Sequence, residues 1–208
     1  AKHGYDLILV SRSESKLSEL SKYLEENFSI STSSYACDLS SMSETIEVAT
    51  TIKSNHKEIY CLMNNAGGIF MDFELTVEGY EKTFALNHMN YYIITNILLD
   101  NITSRIINVA SEAHRGVKIS KDFQCPKKYN GWLQYKHSKL ANIYFTYHLS
   151  SILDKENSHL TVNCLHPGVV NTNIANNNNN FIYKTISSFI KFFAISSKEG
   201  AVTPAYLA

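Results

Sequence analysis

The sequence predicts an α/β protein with a doubly wound parallel sheet, arranged in three layers with helices on both faces. Short apolar runs typical of buried strands alternate with stretches of helical periodicity, one pair about every 30 residues. This alternation favours right-handed strand–helix–strand units. Polar and glycine residues follow the apolar runs, and in such sheets ligands bind beyond the carboxyl ends of the strands.

Five apolar runs predict the strands. They are residues 7–10, 31–37, 59–63, 105–111 and 160–165, of which 31–37 has the weakest pattern. The first run follows Gly4, which has the position of a helix C-cap, so the chain opens like the tail of a helix that enters a strand. A strand and helix are therefore expected to precede it.

Four stretches have the apolar spacing of helices. They are residues 13–28, 41–55, 80–99 and 135–153, and the stretch 199–208 is also helix-like. Ser13 can cap the first of these helices. Within it, Leu17, Leu20 and Leu24 recur at helical spacing. Residues 112–131 are predicted to form a polar loop.

Composition and charge narrow the possible functions. The chain has 208 residues and 23.5 kDa, which suits a single domain over 1–208. Its 19 basic and 19 acidic residues cancel, so electrostatics give no case for nucleic acid as a partner. The four cysteines lie far apart and the histidines show no metal spacing, which predicts reduced thiols and no metal site. We expect a cytoplasmic protein, since no apolar run of about 18 residues occurs.

Two segments near the carboxyl end stand out. Residues 176–180 are five consecutive asparagines, which cannot form a core and predict a solvated loop. Residues 181–195 are apolar and aromatic. They fit either an ordinary packed helix or a lid over an apolar substrate pocket. An apolar surface here would also allow contact with the cytosolic face of an intracellular membrane.

The strongest candidate for chemistry is the pair Tyr135 and Lys139. The two residues are four apart in a predicted helix, so they share a face. A neighbouring ammonium favours the phenolate and is expected to lower the pKa of Tyr135 toward neutrality. Such a tyrosine could act as an acid or base. The pair alone also fits an ordinary surface contact.

Further motifs in the same order make the chain resemble the short-chain dehydrogenase/reductase family, whose fold is of the Rossmann type. Tyr135 and Lys139 fit its Tyr-x-x-x-Lys signature, and 64–67 fits its Asn-Asn-Ala-Gly signature. The remaining matches are Ser111 after a strand, Asn87 in Leu-Asn-His, and 167–172 as Pro-Gly-x-Val-x-Thr. Residues 135–142 and 166–170, the Asn87-His88 pair and the long insertion before Tyr135 look like the retinol dehydrogenase branch.

The resemblance implies a role for each catalytic residue. Tyr135 gives or takes the proton of the alcohol. Lys139 lowers the pKa of Tyr135 and holds the nicotinamide ribose. Ser111 hydrogen-bonds the carbonyl oxygen where charge develops. Asn87 supports a water path to Lys139.

The resemblance also implies a cofactor site along the sheet edge. Asn65, Ala66 and Gly67 would let the backbone approach the adenosine side, and Asp38 would bond the adenine ring. Thr172 would hold the nicotinamide carboxamide, and the cofactor-binding residues of the same segment would be Pro167, Gly168 and Val170. The cofactor itself supplies the hydride chemistry.

Cofactor choice depends on Arg12. An acidic residue at the end of the strand predicted over residues 7–10 would bind the ribose 2′-hydroxyl and select NAD. The chain has Ser11-Arg12-Ser13 there, and an arginine can pair with a 2′-phosphate. We therefore expect NADP, with a solvated surface arginine as the other interpretation.

The departure from the family is equally informative. The glycine-rich Thr-Gly-x-x-x-Gly-x-Gly loop, which seats the pyrophosphate at a helix N-terminus, is absent from the sequence. Relative to the family, the domain is expected to lack its first strand, loop and helix, and also its last strand. In a sheet ordered 3-2-1-4-5-6 the first strand is central, so its neighbours are expected to be unpaired.

Three functions remain open. The leading one is an NADP-dependent oxidoreductase that interconverts a hydrophobic alcohol, retinol-like or otherwise lipophilic, and its carbonyl. The second is an inactive relative or gene fragment that serves as a binding protein. A sugar-nucleotide epimerase or dehydratase shares Tyr-x-x-x-Lys, but Asn64-Asn65-Ala66-Gly67 argues against it.

Overall fold

The computed structural model describes residues 1–118, 122–124, 128–168 and 196–208. Within them, the strands are β1 Leu7–Ser11, β2 Thr32–Ala36, β3 Ile59–Asn64, β4 Ile102–Val109 and β5 Thr161–Leu165. The α-helices are α1 Glu14–Phe28, α2 Met42–Asn55, α3 Lys82–Phe84, α4 Asn90–Leu98, α5 Gly131–Lys155, α6 Ser197–Gly200 and α7 Val202–Leu207. Strands and helices alternate as far as β5, which confirms the predicted α/β class.

All strand pairs in the described part of the chain are parallel, but they form two separate ladders. β1 pairs with β2, and β3, β4 and β5 pair in that order. β1 and β3 are not hydrogen-bonded to each other, as expected for the neighbours of a central strand that the sequence lacks. Side-chain contacts join the ladders, for example the stacked rings of Tyr5 and Tyr60 at 5.3 Å.

Side-chain caps fix the start of each long helix. Ser13 accepts a hydrogen bond from the Lys16 N–H at the start of α1, as predicted. Ser41 does the same for α2, and Asn130 for α5. Since Asn130 caps α5, this helix begins four residues before the predicted start.

One hydrophobic core lies between the sheet and the helices. Ile106 and Ile107 are adjacent in β4, point to opposite faces, and are both fully buried, so β4 is covered on both sides. The core cluster contains buried residues of four elements besides β4, among them Val48, Leu98 and Leu149. Side chains of β1 pack against this same cluster, so both ladders share one core.

The helix predicted over 80–99 is interrupted. It begins at Lys82, and residues Ala85–Met89 adopt π-helical geometry before α4 continues to Leu98. A single π-helical turn is rare and occurs mostly at functional sites. The interruption lies where the sequence places Asn87.

Several expectations lie outside the described residues. They are the asparagine loop 176–180, the helix or lid 181–195, and the cofactor-binding residues Val170 and Thr172. Among the residues that are described, no helix is both long and apolar enough to span a bilayer.

Candidate active site

The predicted catalytic residues meet at the carboxyl edge of β3 and β4. Ser111 follows β4 directly, and Tyr135 and Lys139 face it from α5. The side chain of Ser111 lies beside the Tyr135 phenol and acts to lower its pKa. Tyr135 is 7% exposed and stacks on Trp132, with ring centroids 5.5 Å apart. A hydroxyl pair in a dry environment is suited to bind a polar oxygen of a substrate.

Lys139 is held beneath the tyrosine. Its Nζ donates to Val109 O at 2.9 Å and lies 5.9 Å from the centroid of the Tyr135 ring and 5.6 Å from that of Tyr91. Complete burial lowers the pKa of Lys139 to about 7. Near neutral pH this amine can therefore take up or release a proton.

Tyr135 differs from the expectation in one respect. Burial raises the pKa of its phenol, and the neighbouring Ser111 side chain offsets this only in part. The expected lowering by Lys139 is not found. The physical reason is that both groups share one dry environment, where the ammonium is itself disfavoured.

Asn87 lies in the π-helical turn and is fully buried. Its carboxamide pairs with the backbone of Gly68, accepting from the N–H at 2.8 Å and donating to the carbonyl at 2.9 Å. It also donates to Ser138 Oγ at 3.0 Å. Asn87 therefore clamps the loop after β3 to α5, a structural task that the sequence did not reveal.

Two residues of this network were missed by sequence analysis. Ser138 and Asn142 are fully buried on α5. Asn142 donates to Asn87 O at 2.9 Å and is 2.8 Å from His88 Nδ1. The signal was present: polar residues at 135, 138, 139, 142 and 146 form a stripe with helical spacing, and every member is buried.

The loop after β3 contains three residues that were predicted to bind the cofactor, and they differ in exposure and in their contacts. Asn65 is exposed, whereas Ala66 O accepts a hydrogen bond from Tyr91 Oη at 2.8 Å. Gly67 packs closely on two side chains, because a Cβ would lie 3.1 Å from Asn87 Oδ1 and 3.4 Å from Lys139 Nζ. A larger residue there would require the Asn87 side chain to shift slightly.

The predicted cofactor residues of the first ladder lie at the same edge. Arg12 follows β1, is exposed, and has no hydrogen-bond or ionic partner among the described residues. Asp38 follows β2, and its Oδ1 accepts from Ser40 N at 3.0 Å and Ser40 Oγ at 2.8 Å, which fixes the carboxylate. After β5, Pro167 is half-buried and Gly168 is exposed with φ +84°.

Comparison with known proteins agrees with this arrangement. The family model described as short chain dehydrogenase matches residues 1–182. Human polyprenol dehydrogenase is 33% identical over 184 residues, 84% of this chain and 56% of that protein. Human retinol dehydrogenase 13 is 35% identical over 182 residues, 84% of this chain and 54% of that protein. The chain thus spans about half the length of these curated relatives.

The fold likeness extends to solved structures. A short chain dehydrogenase/reductase from Burkholderia phymatum, in complex with NAD, matches 97% of this chain and 76% of its own with a TM-score of 0.74. Its sequence is 18% identical, so it shows the fold alone. Family model, relatives and site agree: the chain belongs to the short-chain dehydrogenase family, in its retinol dehydrogenase-like branch.

Proposed function

We propose that the protein is an NADP-dependent oxidoreductase that interconverts a hydrophobic alcohol and its carbonyl. One observation carries the proposal: a buried tyrosine hydroxyl lies beside the Ser111 side chain, with a buried lysine on the same helix face. These three groups can bind a carbonyl oxygen and deliver a proton to it. The relatives named as dehydrogenases support the same class of reaction.

Tyr135 is the proton donor in the direction of carbonyl reduction. Burial keeps its phenol protonated at neutral pH, which suits a general acid. Ser111 supplies a second hydrogen bond to the same substrate oxygen, where negative charge develops. Lys139, with a pKa of about 7, replaces the proton that Tyr135 gives up.

A nicotinamide dinucleotide fits the residues present in part. Exposed Arg12 offers an unpaired cation for a 2′-phosphate, and Asp38 offers a fixed carboxylate for the adenine side. Gly67 keeps the backbone close to Lys139 Nζ, where the nicotinamide ribose would bind. When bound, the cofactor supplies or accepts the hydride. The glycine loop that would hold the pyrophosphate is not in the sequence.

The relatives suggest a substrate class. Retinol and polyprenol, named in the two relatives, are both long apolar isoprenoids with a terminal allylic alcohol. We infer that this protein acts on lipophilic primary alcohols and aldehydes of that kind. A short aldehyde such as butanal should be a poor substrate, because it cannot gain the binding energy of a long apolar chain.

The test uses the gene product that contains this chain, assayed with NADPH and either retinal or polyprenal. Tyr135→Phe should lower turnover roughly 10²–10⁴-fold, because the phenol transfers the proton, while NADPH affinity stays within about threefold. Tyr144→Phe, an exposed tyrosine on the same helix, is the control and should retain full activity. A Tyr135→Phe enzyme with more than about a tenth of wild-type rate would refute the assignment.

The second candidate function is that of a binding protein without turnover. It predicts that the wild-type protein binds retinal or polyprenal, yet does not oxidise NADPH. The same assay therefore separates the two functions.

A further inference from the structure

Glu81 is a buried carboxylate that the proposed reaction does not use. Its side chain is 0% exposed and caps α3, accepting hydrogen bonds from the backbone N–H groups of Thr83 (2.9 Å) and Phe84 (2.7 Å). A carboxylate that is removed from water is tolerated only when its oxygens are satisfied. Its other partners therefore show what Glu81 holds in place.

The same two oxygens accept hydrogen bonds from residues beyond α3. Tyr129 Oη lies 2.9 Å from Oε1, and Gln134 Nε2 lies 2.9 Å from Oε2. Gln134 is 2% exposed, lies near the start of α5, and directly precedes Tyr135. One carboxylate thus ties the helix that carries Asn87 to the helix that carries Tyr135.

The loop after β3 is held by the same group of side chains. Tyr129 Oη also lies 2.8 Å from Phe70 O, so its single proton is shared between that carbonyl and Glu81 Oε1. Phe70 N–H donates to Thr83 Oγ1 at 3.3 Å. Gly131 packs so tightly on this loop that a Cβ would collide with the backbone of Phe70 and Met71. Three parts of the active site therefore converge around Glu81.

We propose that Glu81 is a positioning residue: it fixes the first turns of α5, and with them the Tyr135 hydroxyl, against the Asn87 helix and the loop after β3. The proposal rests on the proposed function, because the task belongs to that reaction. Displacement of a reacting group by about 1 Å can cost about 10²-fold in rate. A carboxylate with four donors is a strong constraint on such a displacement.

Two variants break the contact between Glu81 and Gln134, one from each side. Glu81→Gln keeps the size of the side chain but replaces one acceptor oxygen by an NH₂ donor, which then faces a backbone N–H and a second donor. Gln134→Leu removes the bond from α5 to Glu81, together with the bond from Gln134 to Phe123 O, and leaves the α3 cap intact. Asn101→Ala is the matched control: Asn101 is 7% exposed and donates to Lys53 O and His56 O, at the opposite edge of the sheet.

Trp132 provides a readout that does not depend on turnover. It is the only tryptophan among these 208 residues, and its ring stacks on Tyr135. Any tryptophan elsewhere in the protein is replaced by phenylalanine for this measurement. Its fluorescence and its quenching by acrylamide therefore report the position of the first turns of α5. A residue that only stabilised the fold would leave this signal unchanged in the folded protein.

The experiment measures Trp132 quenching, thermal unfolding and NADPH-dependent kinetics in the protein that contains this chain, below the melting temperature. We expect Glu81→Gln and Gln134→Leu to change the quenching constant and to lower kcat at least about tenfold, with the KM for NADPH within about threefold. The double variant should lose less than the sum of the two single variants, because both break the contact between Glu81 and Gln134. Asn101→Ala should lower Tm but should change neither the Trp132 quenching constant nor kcat.

Each outcome decides the proposal. Unchanged Trp132 quenching in folded Glu81→Gln, or the same change in Asn101→Ala, overturns it. Additive losses in the double variant also overturn it, and if Glu81→Gln does not fold, Gln134→Leu alone carries the test. Absence of turnover in the wild type would refute the proposed function instead, and Trp132 quenching would still decide whether Glu81 positions α5.

Discussion

At the scale of single residues, Arg12 is a charged group that nothing in the described chain neutralises. If it binds a 2′-phosphate, Arg12→Asp removes a charge-assisted bond and adds repulsion. We expect the ratio of kcat/KM for NADPH over NADH to fall at least about tenfold, since one such bond contributes about 1.5–3 kcal/mol. The measurement is steady-state kinetics with both cofactors.

Lys22→Asp is the control for the change in charge. Lys22 lies on α1 with 77% of its side chain exposed and only the Glu26 carboxylate at 3.9 Å. The same reversal of charge there should leave cofactor preference unchanged. An unaltered ratio in Arg12→Asp would show that Arg12 does not reach the ribose.

The lowered pKa of Lys139 predicts that the free energy of unfolding depends on pH. Its pKa is about 7 in the folded chain against an ordinary 10.5, so the native state binds fewer protons than the unfolded chain between these values. The free energy of unfolding should therefore rise with pH across this window, by at most about 1.4 kcal/mol per pH unit. Below about pH 7 the contribution of Lys139 is constant, because both states are protonated.

Chemical denaturation of the wild type and Lys139→Met from pH 6 to pH 9 would measure this contribution. The difference between the two proteins cancels the other titrating groups, so the wild type should gain stability relative to the variant above pH 7. Parallel pH profiles would mean that Lys139 is charged and solvated in the folded state.

At the scale of elements, α5 shows what sequence could and could not predict. Its existence and its catalytic face followed from the spacing of Tyr135 and Lys139, because helical periodicity is a local property. Its start at Gly131 did not follow, because glycine is a poor helix former and apolar periodicity gave no signal there. The cap by Asn130 and the contact of Gly131 with the loop after β3 set that start.

Gly131→Ala should loosen this docking. Alanine favours a helix over glycine by about 1 kcal/mol, yet here its Cβ would collide with the backbone of Phe70 and lie 2.6 Å from Met71 Cα. Backbone cannot yield as a side chain can, so we expect a net loss of about 1–3 kcal/mol and reduced kcat. Thermal unfolding and turnover would measure both effects.

Gly116→Ala separates collision from backbone strain. Gly116 has φ +74°, and no atom lies within 4 Å of the point that a Cβ would occupy, so only the cost of the left-handed conformation applies, roughly 1 kcal/mol. The kcat of the Gly116→Ala variant should equal that of the wild type. If Gly131→Ala is as stable and as active as the wild type, α5 does not depend on this close approach.

The π-helical turn and Glu81 lay beyond sequence patterns for a related reason. An extra residue in one turn at Ala85–Met89 leaves the apolar spacing of the flanking helix almost unchanged, so periodicity predicts one continuous helix. Glu81 reads as an exposed charge beside Gly79 and Tyr80, whereas its burial depends on Tyr129 and Gln134, about 50 residues away. Long-range partners of this kind are invisible to local propensity.

At the scale of the whole molecule, the two ladders share one core but not one hydrogen-bonded sheet. The sequence predicted this division from the order of its strands, since the neighbours of an absent central strand have nothing to pair with. Packing of β1 side chains on the cluster that includes Ile106 keeps the ladders together. Among the described residues, one edge of β1 and one edge of β3 have no strand partner.

This division predicts a gradient of local stability. β4 pairs on both sides and contains the fully buried Ile106 and Ile107. In the described part of the chain β1 has one strand partner, β2, and its residues are half-buried or exposed. Opening β1 breaks one ladder and exposes little apolar surface, so its amides should exchange at least about tenfold faster than those of β4. Hydrogen–deuterium exchange of peptides from both strands would measure the difference. Equal protection of β1 and β4 would mean that a further strand pairs with β1 in solution.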